Sequence, residues 1–425
     1  AVGSSAGSRL EGAVGSSAGS RLEGAVGSSA EPRQGGVPAP GCPTAEDVAL
    51  VLHTSGTTSR PKIVPLRQRH LARSAAGIAG SLALTPGDRS LQVMPLFHIH
   101  GLLAGLLAPL SAGGAVACTE GFDAFRFFAQ LEALKPSYYT AVPTMHQMVI
   151  SRSARHRDAA RSAGLRFVRS SSASLPAPVL HELGELFGAP VVEAYGMTEA
   201  THQMCANPLP PAVAKPRSVG VPTGIEMAVL DDRNRPLPPG ERGEVSIKGP
   251  TVIDGYENNP EADAAAFTDG WFRTGDEGYV DADGYLFLTG RLKEQINRGG
   301  EKVSPLEVDE ALLGHPSVAQ AVTFAVPHPK LGEEVAAAVA AAGGRRIDER
   351  ELRRFLSQSL AAFKVPRRIL VLDELPKGPT GKLQRIGLAE RLGLIPADDP
   401  PGGPVAEGPR PSGAPPARSR RDAPP

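Results

Sequence analysis

The chain has 425 residues, and its 45 basic and 45 acidic side chains give a formal net charge of zero. This balance excludes binding to nucleic acid or to an anionic membrane through the field of the whole protein, so any partner must be recognised at a local site. No run of about 18 apolar residues is present, so no membrane span is predicted. Cys42, Cys118 and Cys205 lack the spacing of a disulfide scaffold or a zinc site, which indicates a reducing compartment.

The two ends of the chain differ in composition from the middle. Residues 1–40 contain the sequence AVGSSAGSRLEG twice, followed by the decayed copy AVGSSAEPRQGG, and residues 397–425 are rich in proline and glycine. Both segments have too few apolar side chains to offset the entropy of ordering. We therefore predict that both ends are disordered.

Between these ends, short apolar runs alternate with longer helical stretches, which predicts an α/β protein. Residues 48–52 and 191–194 are predicted to be buried strands, and each runs into a loop rich in glycine and hydroxyl side chains. From Glu226 onward, short strands are separated by turn motifs. This pattern predicts a barrel-like annex of antiparallel strands.

A different pattern follows Arg291. The sequence SPLE at residues 304–307 predicts a capping box that begins a helix, and Gly314 is predicted to end that helix. A second helix is predicted at residues 349–360 and a strand at residues 368–372. Together these elements predict a small α+β unit.

The first candidate ligand motif directly follows the first predicted strand. Its hydroxyls and consecutive backbone N–H groups can hold a polyphosphate, and Lys62 adds a positive charge; the loop residues are Thr54, Ser55, Gly56, Thr57 and Thr58. A Walker A sequence cannot be written through this loop, which argues against a P-loop hydrolase. Taken alone, the loop is also compatible with a surface connection that binds nothing.

The second motif, YGMTE, begins at Tyr195, where another predicted strand ends. Ligands bind at such strand ends in open α/β sheets. The ring of Tyr195 can stack on a base, while Thr198 and Glu199 offer oxygen ligands for Mg²⁺ beside a phosphate. A helix start is the alternative for a Thr-Glu pair taken alone.

The third and fourth motifs lie farther along the chain. The carboxylate of Asp276 suits the two hydroxyls of a ribose, and Arg291 suits a phosphate or a paired acid. The sequence PTGK predicts a turn that presents Lys382 at a loop tip, where a lysine is ordinarily only solvated.

In this order, the segments TSGTTSRPK, YGMTEA, GWFRTGD, GRLKEQI and PTGK resemble the motifs of the adenylate-forming superfamily of acyl-CoA synthetases, luciferases and peptide-synthetase adenylation domains. The resemblance runs from about Asp47 to Leu394. It implies an α/β fold with a large adenylation domain of layered sheets and a barrel-like annex, its N-terminal part missing, and a small mobile α+β C-terminal domain. The implied division is a disordered segment (1–40), a partial AMP-binding domain (41–291), a C-terminal lid domain (292–396) and a disordered tail (397–425).

The resemblance also implies an activity: a carboxylic acid and ATP form an acyl-adenylate and pyrophosphate, and coenzyme A then accepts the acyl group. Lys382, Glu199 and Thr198 would be catalytic, with Glu199 holding Mg²⁺. Gly299 and Gly300 would line the path of coenzyme A, because a missing side chain leaves room for the thiol. The implied nucleotide-binding residues are Thr54, Ser55, Gly56, Thr57, Thr58, Lys62, Glu193, Ala194, Tyr195, Gly196, Thr198, Asp276, Arg291 and Lys293.

Within the superfamily, segments such as MPLFHIHGLLAGLL and EAYGMTEATHQM look most similar to the oxalate–CoA ligases of plants and fungi. A fatty or aryl acid needs an apolar pocket, whereas a small dianion must be met by hydrogen-bond donors. The predicted substrate-binding residues are His98, His100, Ser172, Ser174 and His202. A structural role is the alternative for any one of these histidines.

Two departures from the family pattern leave alternatives open. Ile63 stands where the family has glycine, and the folded segment that precedes the phosphate loop in the family is not found before Asp47. A 4-coumarate or fatty acyl-CoA ligase, and an inactive truncated paralogue that only binds nucleotide, are the alternatives. The predicted partners are a small acid, ATP and coenzyme A, without nucleic acid or a membrane span. The cytoplasm is the predicted location, with the peroxisome as the alternative, since no Ser-Lys-Leu signal is seen.

Overall fold

The structure, a computed structural model, describes residues 41–54, 61–378 and 381–395. The two segments predicted to be disordered lie outside the described residues, and so do residues 55–60 of the predicted phosphate loop. None of the helices within the described ranges combines the length and the apolar character that crossing a bilayer requires.

The secondary structure alternates strands and helices in the first half and becomes strand-rich in the second. The strands are β1 (Val48–Thr54), β2 (Lys62–Arg67), β3 (Arg89–Gln92), β4 (Ala115–Cys118), β5 (Tyr138–Ala141), β6 (Phe167–Ser171), β7 (Val191–Met197), β8 (His202–Ala206), β9 (Val221–Pro222), β10 (Glu226–Leu230), β11 (Gly243–Lys248), β12 (Phe267–Thr268), β13 (Trp271–Val280), β14 (Leu286–Arg291), β15 (Ile296–Arg298), β16 (Glu301–Val303), β17 (Val318–His328), β18 (Gly332–Ala341) and β19 (Arg368–Leu372). The α-helices are α1 (Gln68–Ser81), α2 (Ala108–Ser111), α3 (Phe127–Leu134), α4 (Pro143–Arg152), α5 (Arg157–Ser162), α6 (Ala177–Phe187), α7 (Pro260–Ala266), α8 (Pro305–Leu313), α9 (Glu349–Leu356) and α10 (Leu388–Arg391).

A seven-stranded sheet forms the centre of the first half, in the order β4-β3-β5-β6-β7-β8-β9. The strands from β4 to β7 are parallel, and β8 and β9 add to the edge in antiparallel fashion. Because successive side chains of a strand point to opposite faces, Tyr138 and Phe167 pack in the core on one face, whereas Tyr139 and Val168 pack in the core on the other. The strands β5 and β6 are buried along their whole length, as expected for a parallel sheet covered on both faces.

The predicted antiparallel annex is confirmed. Strands β10, β11, β13 and β12 form a sheet in that order, and β14 pairs with β13. Val245, Ile247 and Phe272 of this sheet are buried and join the core that α1 shares with the seven-stranded sheet. The annex is therefore packed against the large sheet.

The first predicted strand is present, but the prediction that it is buried was wrong. Strand β1 pairs only with β2, in an antiparallel two-stranded sheet. Val48 and Val51 are each about half exposed, at 50% and 51%. An apolar run of five residues cannot by itself distinguish a central strand from a peripheral hairpin.

Strands β16, β15, β18 and β17 form a further sheet in that order, and β19 pairs in parallel with β18. The helices α8 and α9 pack on one face of this sheet through Val308, Leu312 and Leu352. A separate core covers the opposite face, where Leu388 of α10 packs. The mixed α/β class with several sheets is thus as predicted, and the residue boundaries of the predicted domains stay a prediction.

Two local predictions in this part of the chain need correction. Ser304 lies at the N-cap of α8, but its hydroxyl donates to the carbonyl of Thr289 and does not cap the helix, so no capping box forms. Helix α8 ends before Gly314 as predicted, whereas α9 ends at Leu356, four residues earlier than predicted. Strand β19 has the predicted bounds.

Candidate active site

Polar side chains gather near the C-terminal ends of the parallel strands β5 and β6 and at the start of the antiparallel strand β8. Thr140 of β5 is paired in register with Arg169 of β6, and His202 begins β8. His100 precedes a π-helical turn, Gly101–Leu107, which packs in the core on the same face. Single π-helical turns are frequent at functional sites. Four segments distant in sequence therefore contribute to one polar cluster in an otherwise apolar core.

The rings of His100 and His202 form the centre of this cluster. They stack with centroids 4.9 Å apart and an interplanar angle of 19°, and both residues are buried. Burial lowers the pKa of both histidines well below the ordinary value, and the positive charge of Arg169 lowers both further. Both imidazoles are therefore neutral at neutral pH.

The backbone around the two histidines is strained. Ser172, Thr201 and His202 have φ angles of 75°, 52° and 90°, in the left-handed region that side chains with a Cβ rarely adopt. The hydroxyl of Ser172 lies 3.1 Å from Nδ1 of His100. A Cβ on Gly196 would lie 1.6 Å from the carbonyl oxygen of His202, so only glycine permits this approach of β7 to β8. Strain of this kind concentrates at functional sites, where the surrounding structure must hold it.

Lys382 reaches the cluster from the C-terminal part of the chain. Its electrostatic influence lowers the pKa of His98, His100 and His202. Burial, with a smaller contribution from Arg291, lowers the pKa of Lys382 itself to about 8. At neutral pH the three imidazoles are neutral, and Lys382 and Arg169 carry the positive charge of the site, which is therefore suited to an anion.

The loop that carries Lys382 is held against the large sheet's helix α4. Thr144 donates its hydroxyl hydrogen to the carbonyl oxygen of Gly381 over 2.6 Å. The amide of Gln147 donates to the carbonyl of Ala319 over 3.1 Å and accepts from Gln320 over 3.2 Å. These bonds fix one arrangement of the C-terminal sheet relative to α4.

Asp276, Tyr195 and Arg291 form a second group. The hydroxyl of Tyr195 and Nε of Arg291 both donate to the carboxylate of Asp276, the latter over 2.7 Å. Burial raises the pKa of Asp276, and the charge of Arg291 opposes that rise. The two motifs predicted to hold adenine and ribose are thus brought together, 81 residues apart in sequence.

Lys62 and Glu199 are joined through a residue that the sequence did not single out. The ammonium of Lys62 lies 4.3 Å from the centre of the Tyr256 ring, and the Tyr256 hydroxyl donates to Glu199 over 2.9 Å. Glu199 is buried beside this hydroxyl. The predicted phosphate lysine and the predicted metal carboxylate therefore lie on either side of one tyrosine.

The remaining predicted residues are placed as follows. His98 is partly buried, its Nδ1 accepts from the backbone N–H of His100 over 3.2 Å, and burial together with Lys382 lowers its pKa to about 4. Glu193 and Ala194 are buried in β7, and burial raises the pKa of Glu193 to about 8. The residues predicted for the site that lie exposed are Ser174, Arg291, Lys293, Gly299 and Gly300. Thr54 ends β1, Thr198 begins a single 3₁₀ turn, and Ser55, Gly56, Thr57 and Thr58 lie outside the described residues.

Sequence reasoning missed Arg169 and Tyr256. Arg169 is fully buried; it donates from Nη1 towards His100 and Thr140 and from Nη2 towards His202 and Gln203. The only sequence signal for it is a charged residue within the otherwise neutral run FVRSSSAS. In the structure this run contains a strand that is buried along its whole length, where a charged side chain needs buried partners.

Comparison with known proteins gives a consistent result. Residues 9–257 match the family described as AMP-binding enzyme, and residues 307–382 match the AMP-binding enzyme C-terminal domain. Oxalate–CoA ligase from Arabidopsis thaliana is 53% identical, covering 82% of this chain and 68% of that protein. Oxalate–CoA ligase from Saccharomyces cerevisiae is 46% identical, covering 83% of this chain and 64% of that protein.

A solved structure of ATP-bound MatB from Rhodopseudomonas palustris is 32% identical, with a TM-score of 0.76, over 82% of this chain and 69% of that one. The chain spans about two thirds of the length of the curated relatives described above. The family match covers more than half of the chain, and the identity to full-length members is high over the aligned part. The chain belongs to the AMP-binding enzyme family.

Proposed function

We propose that this protein is an ATP-dependent carboxylate–CoA ligase that activates oxalate as oxalyl-adenylate and then forms oxalyl-CoA. The observation that carries the choice of acid is the buried group of His100, His202 and Arg169, next to Lys382. The tail of an apolar acid would accept no hydrogen bond from this group, whereas the second carboxylate of a small dianion would accept them. The similarity to two oxalate–CoA ligases supports the same acid.

The first half-reaction is an attack by a carboxylate oxygen on the α-phosphorus of ATP. A P–O bond to the carboxylate forms, the bond to the β-phosphate oxygen breaks, and pyrophosphate leaves. Lys382 is proposed to lie against the phosphorus, where its charge stabilises the negative charge of the transition state. In the second half-reaction, the thiol of coenzyme A loses its proton, its sulfur attacks the acyl carbon, and AMP leaves.

Glu199 is the residue that would hold Mg²⁺. A hard cation prefers oxygen ligands and is often bound by one or two carboxylates together with substrate phosphates. Glu199 fits that role because Tyr256 donates to only one of its carboxylate oxygens, Oε1. Bound Mg²⁺ would supply positive charge to the phosphates, and Tyr256 would hold the carboxylate in place. The nucleotide roles of Tyr195, Asp276 and Arg291 likewise remain proposals that their mutual hydrogen bonds support.

A comparison of acids tests the proposed function. Pyrophosphate release and acyl-CoA formation would be measured with oxalate, 4-coumarate and octanoate at saturating ATP and coenzyme A, with the Lys382→Ala variant as a blank. Oxalate should be used with the largest kcat/KM, because the buried polar groups penalise the two acids with apolar tails.

Two other results would contradict this proposal in different ways. A preference for 4-coumarate or octanoate would place the protein among the hydroxycinnamate or fatty acyl-CoA ligases. Binding of ATP without pyrophosphate release for any of the acids would support a nucleotide-binding protein without ligase activity. Localisation in the cytoplasm is a separate proposal, which imaging of the tagged protein would test.

A further inference from the structure

Arg169 has an unusual environment for a charged side chain. It is fully buried, and among the described residues its hydrogen-bond partners are two imidazoles, one hydroxyl and one amide oxygen. No carboxylate of the described part of the chain pairs with it, and its Nε has no hydrogen-bond partner. A buried cation without a counter-ion is costly, so folds rarely retain one without a use for its charge.

The guanidinium lies against one ring nitrogen of each histidine. Nη1 lies 3.2 Å from Nε2 of His100, and Nη2 lies 3.1 Å from Nε2 of His202. A guanidinium can only donate, so an Nε2 atom that bonds to it is an acceptor. Nε2 of His100 also lies 2.6 Å from the hydroxyl oxygen of Thr140, which accepts from Nη1 over 3.1 Å and can donate its own hydrogen to the ring. With both rings neutral, this arrangement puts the single proton of each ring on Nδ1. In His100, Nδ1 is the atom that faces the hydroxyl of Ser172.

We propose that Arg169 is a positioning residue for acid selection, which orients both histidines as Nδ1–H donors and supplies the positive charge that a second carboxylate of the substrate needs. The inference rests on the proposed function for the identity of the acid. Arg169 acts through the imidazoles: each ring accepts a hydrogen bond from the cation at Nε2 and becomes a stronger donor at Nδ1. Neutral rings alone would select a polar acid, whereas rings polarised by a cation select a dianion over a monoanion of the same shape.

Oxalate and oxamate provide a matched pair for the test, because oxamate replaces one carboxylate of oxalate by a carboxamide. The Arg169→Met variant removes the charge and keeps an unbranched side chain. Its kcat/KM for oxalate relative to oxamate should fall about 10- to 100-fold, mainly through the KM for oxalate, while the KM for ATP stays unchanged. Arg166→Met is the control, because Arg166 directly precedes β6, the strand of Arg169, but is exposed and pairs with Asp88 rather than with either histidine. That control should keep the wild-type ratio.

A measurement on the unaltered protein covers the case in which Arg169→Met does not fold. With ¹⁵N-labelled histidine, the resonances of His100 and His202, assigned with His100→Asn and His202→Gln, should report a proton on Nδ1 of each ring. A proton on Nε2 of either ring would overturn the inference. So would an unchanged oxalate-to-oxamate ratio in Arg169→Met. Failure of the wild-type protein to use oxalate would instead overturn the proposed function, and the tautomer measurement would still decide the role of Arg169.

Discussion

At the scale of single residues, Lys382 links the C-terminal part of the chain to the histidines of the large sheet. It lies in the C-terminal part, yet its charge lowers the pKa of histidines that belong to the large sheet. Its own pKa, lowered to about 8 mainly by burial, leaves it charged at neutral pH. A cation in this position can stabilise charge on a phosphate only while the two parts are in the arrangement described here.

The Lys382→Ala variant should lose oxalyl-adenylate formation about 10²- to 10³-fold, because preorganised charge at the reacting phosphorus typically contributes that much. It should retain most of its rate of thioester formation from supplied oxalyl-adenylate, since no phosphorus is attacked in that step. Pyrophosphate release measures the first reaction, and oxalyl-CoA formation measures the second. Equal losses in both would show that Lys382 does not act in adenylation.

Glu199→Gln tests the proposed magnesium site. The amide keeps the shape of the carboxylate and can still accept from Tyr256, so folding and ATP affinity should change little. The rate of pyrophosphate release at low Mg²⁺ should fall and should recover in part when Mg²⁺ is raised, because a hard cation binds a carboxylate more strongly than an amide. Titration of the rate with Mg²⁺ measures this effect, and an unchanged titration midpoint would contradict the assignment.

At this scale, several polar residues that the sequence motifs singled out are brought together in the structure, such as Tyr195 with Asp276 and Lys382 with His100, while their roles stay predictions. Arg169 and Tyr256 could not be predicted in the same way, since each is recognisable only by its partners, and those partners come from segments far away in the sequence. Tertiary contacts decide such roles, and a single sequence contains little information on them.

At the scale of elements, Arg385 fastens the C-terminal sheet to its flanking segments. It donates to Glu294, to Asp309 of α8, and over 2.6 Å to the carbonyl of Thr323 in β17. Burial raises the pKa of Asp309 to about 6, and the charge of Arg385 opposes that rise. Arg385, which precedes α10, thereby holds the segment between β14 and β15 next to helix α8.

Arg385→Met should lower the free energy of unfolding by about 3–5 kcal/mol at pH 8, because it leaves a buried carboxylate without its partner. The pKa of Asp309 in the folded protein should then rise further above that in the unfolded chain. A raised folded-state pKa makes stability fall as pH rises through that range, so the loss should be smaller at pH 5 than at pH 8. Denaturant unfolding at the two pH values measures the difference, and the exposed Arg346→Met is the control. A loss that is the same at both pH values would contradict a role through Asp309.

In the C-terminal part, helices α8 and α9 and strand β19 could be predicted from the sequence, whereas strands β15 to β18 and helix α10 were not predicted. The burial of β1 could not be predicted, because a strand's exposure depends on which neighbours cover it. The side chain of Ser304 likewise bonds to Thr289, a residue of another strand, and no local pattern predicts that choice.

At the scale of the whole molecule, the contacts of α4 with the C-terminal part define one arrangement of the two. Thr144 contributes the hydrogen bond to Gly381, the neighbour of Lys382. Within residues 41–54, 61–378 and 381–395, the polar contacts across α4 are neutral hydrogen bonds. Neutral bonds of this kind each contribute only about 1 kcal/mol, so they hold this arrangement weakly.

Thr144→Val removes one such bond and keeps the shape of the side chain. Adenylate formation should slow about fivefold, corresponding to about 1 kcal/mol, because Lys382 is held less often in place. Thioester formation from supplied oxalyl-adenylate should be unchanged. Single-turnover assays of the two half-reactions measure both rates, with Ser151→Ala, at the solvent-facing end of α4, as a control. An equal slowing of both half-reactions would indicate a general effect on the fold.

The shared guanidinium of the histidine cluster also limits how this site can evolve. Replacing one histidine by an apolar residue removes an acceptor from Arg169 and leaves part of a buried cation unpaired. Replacing Arg169 first removes the donor to Nε2 of His202. Each single step towards an apolar acid therefore loses stability before it gains a new substrate. A change of acid is expected to require several substitutions acquired together, so lineages that carry this cluster should diversify in their surfaces and tails long before they change the compound they activate.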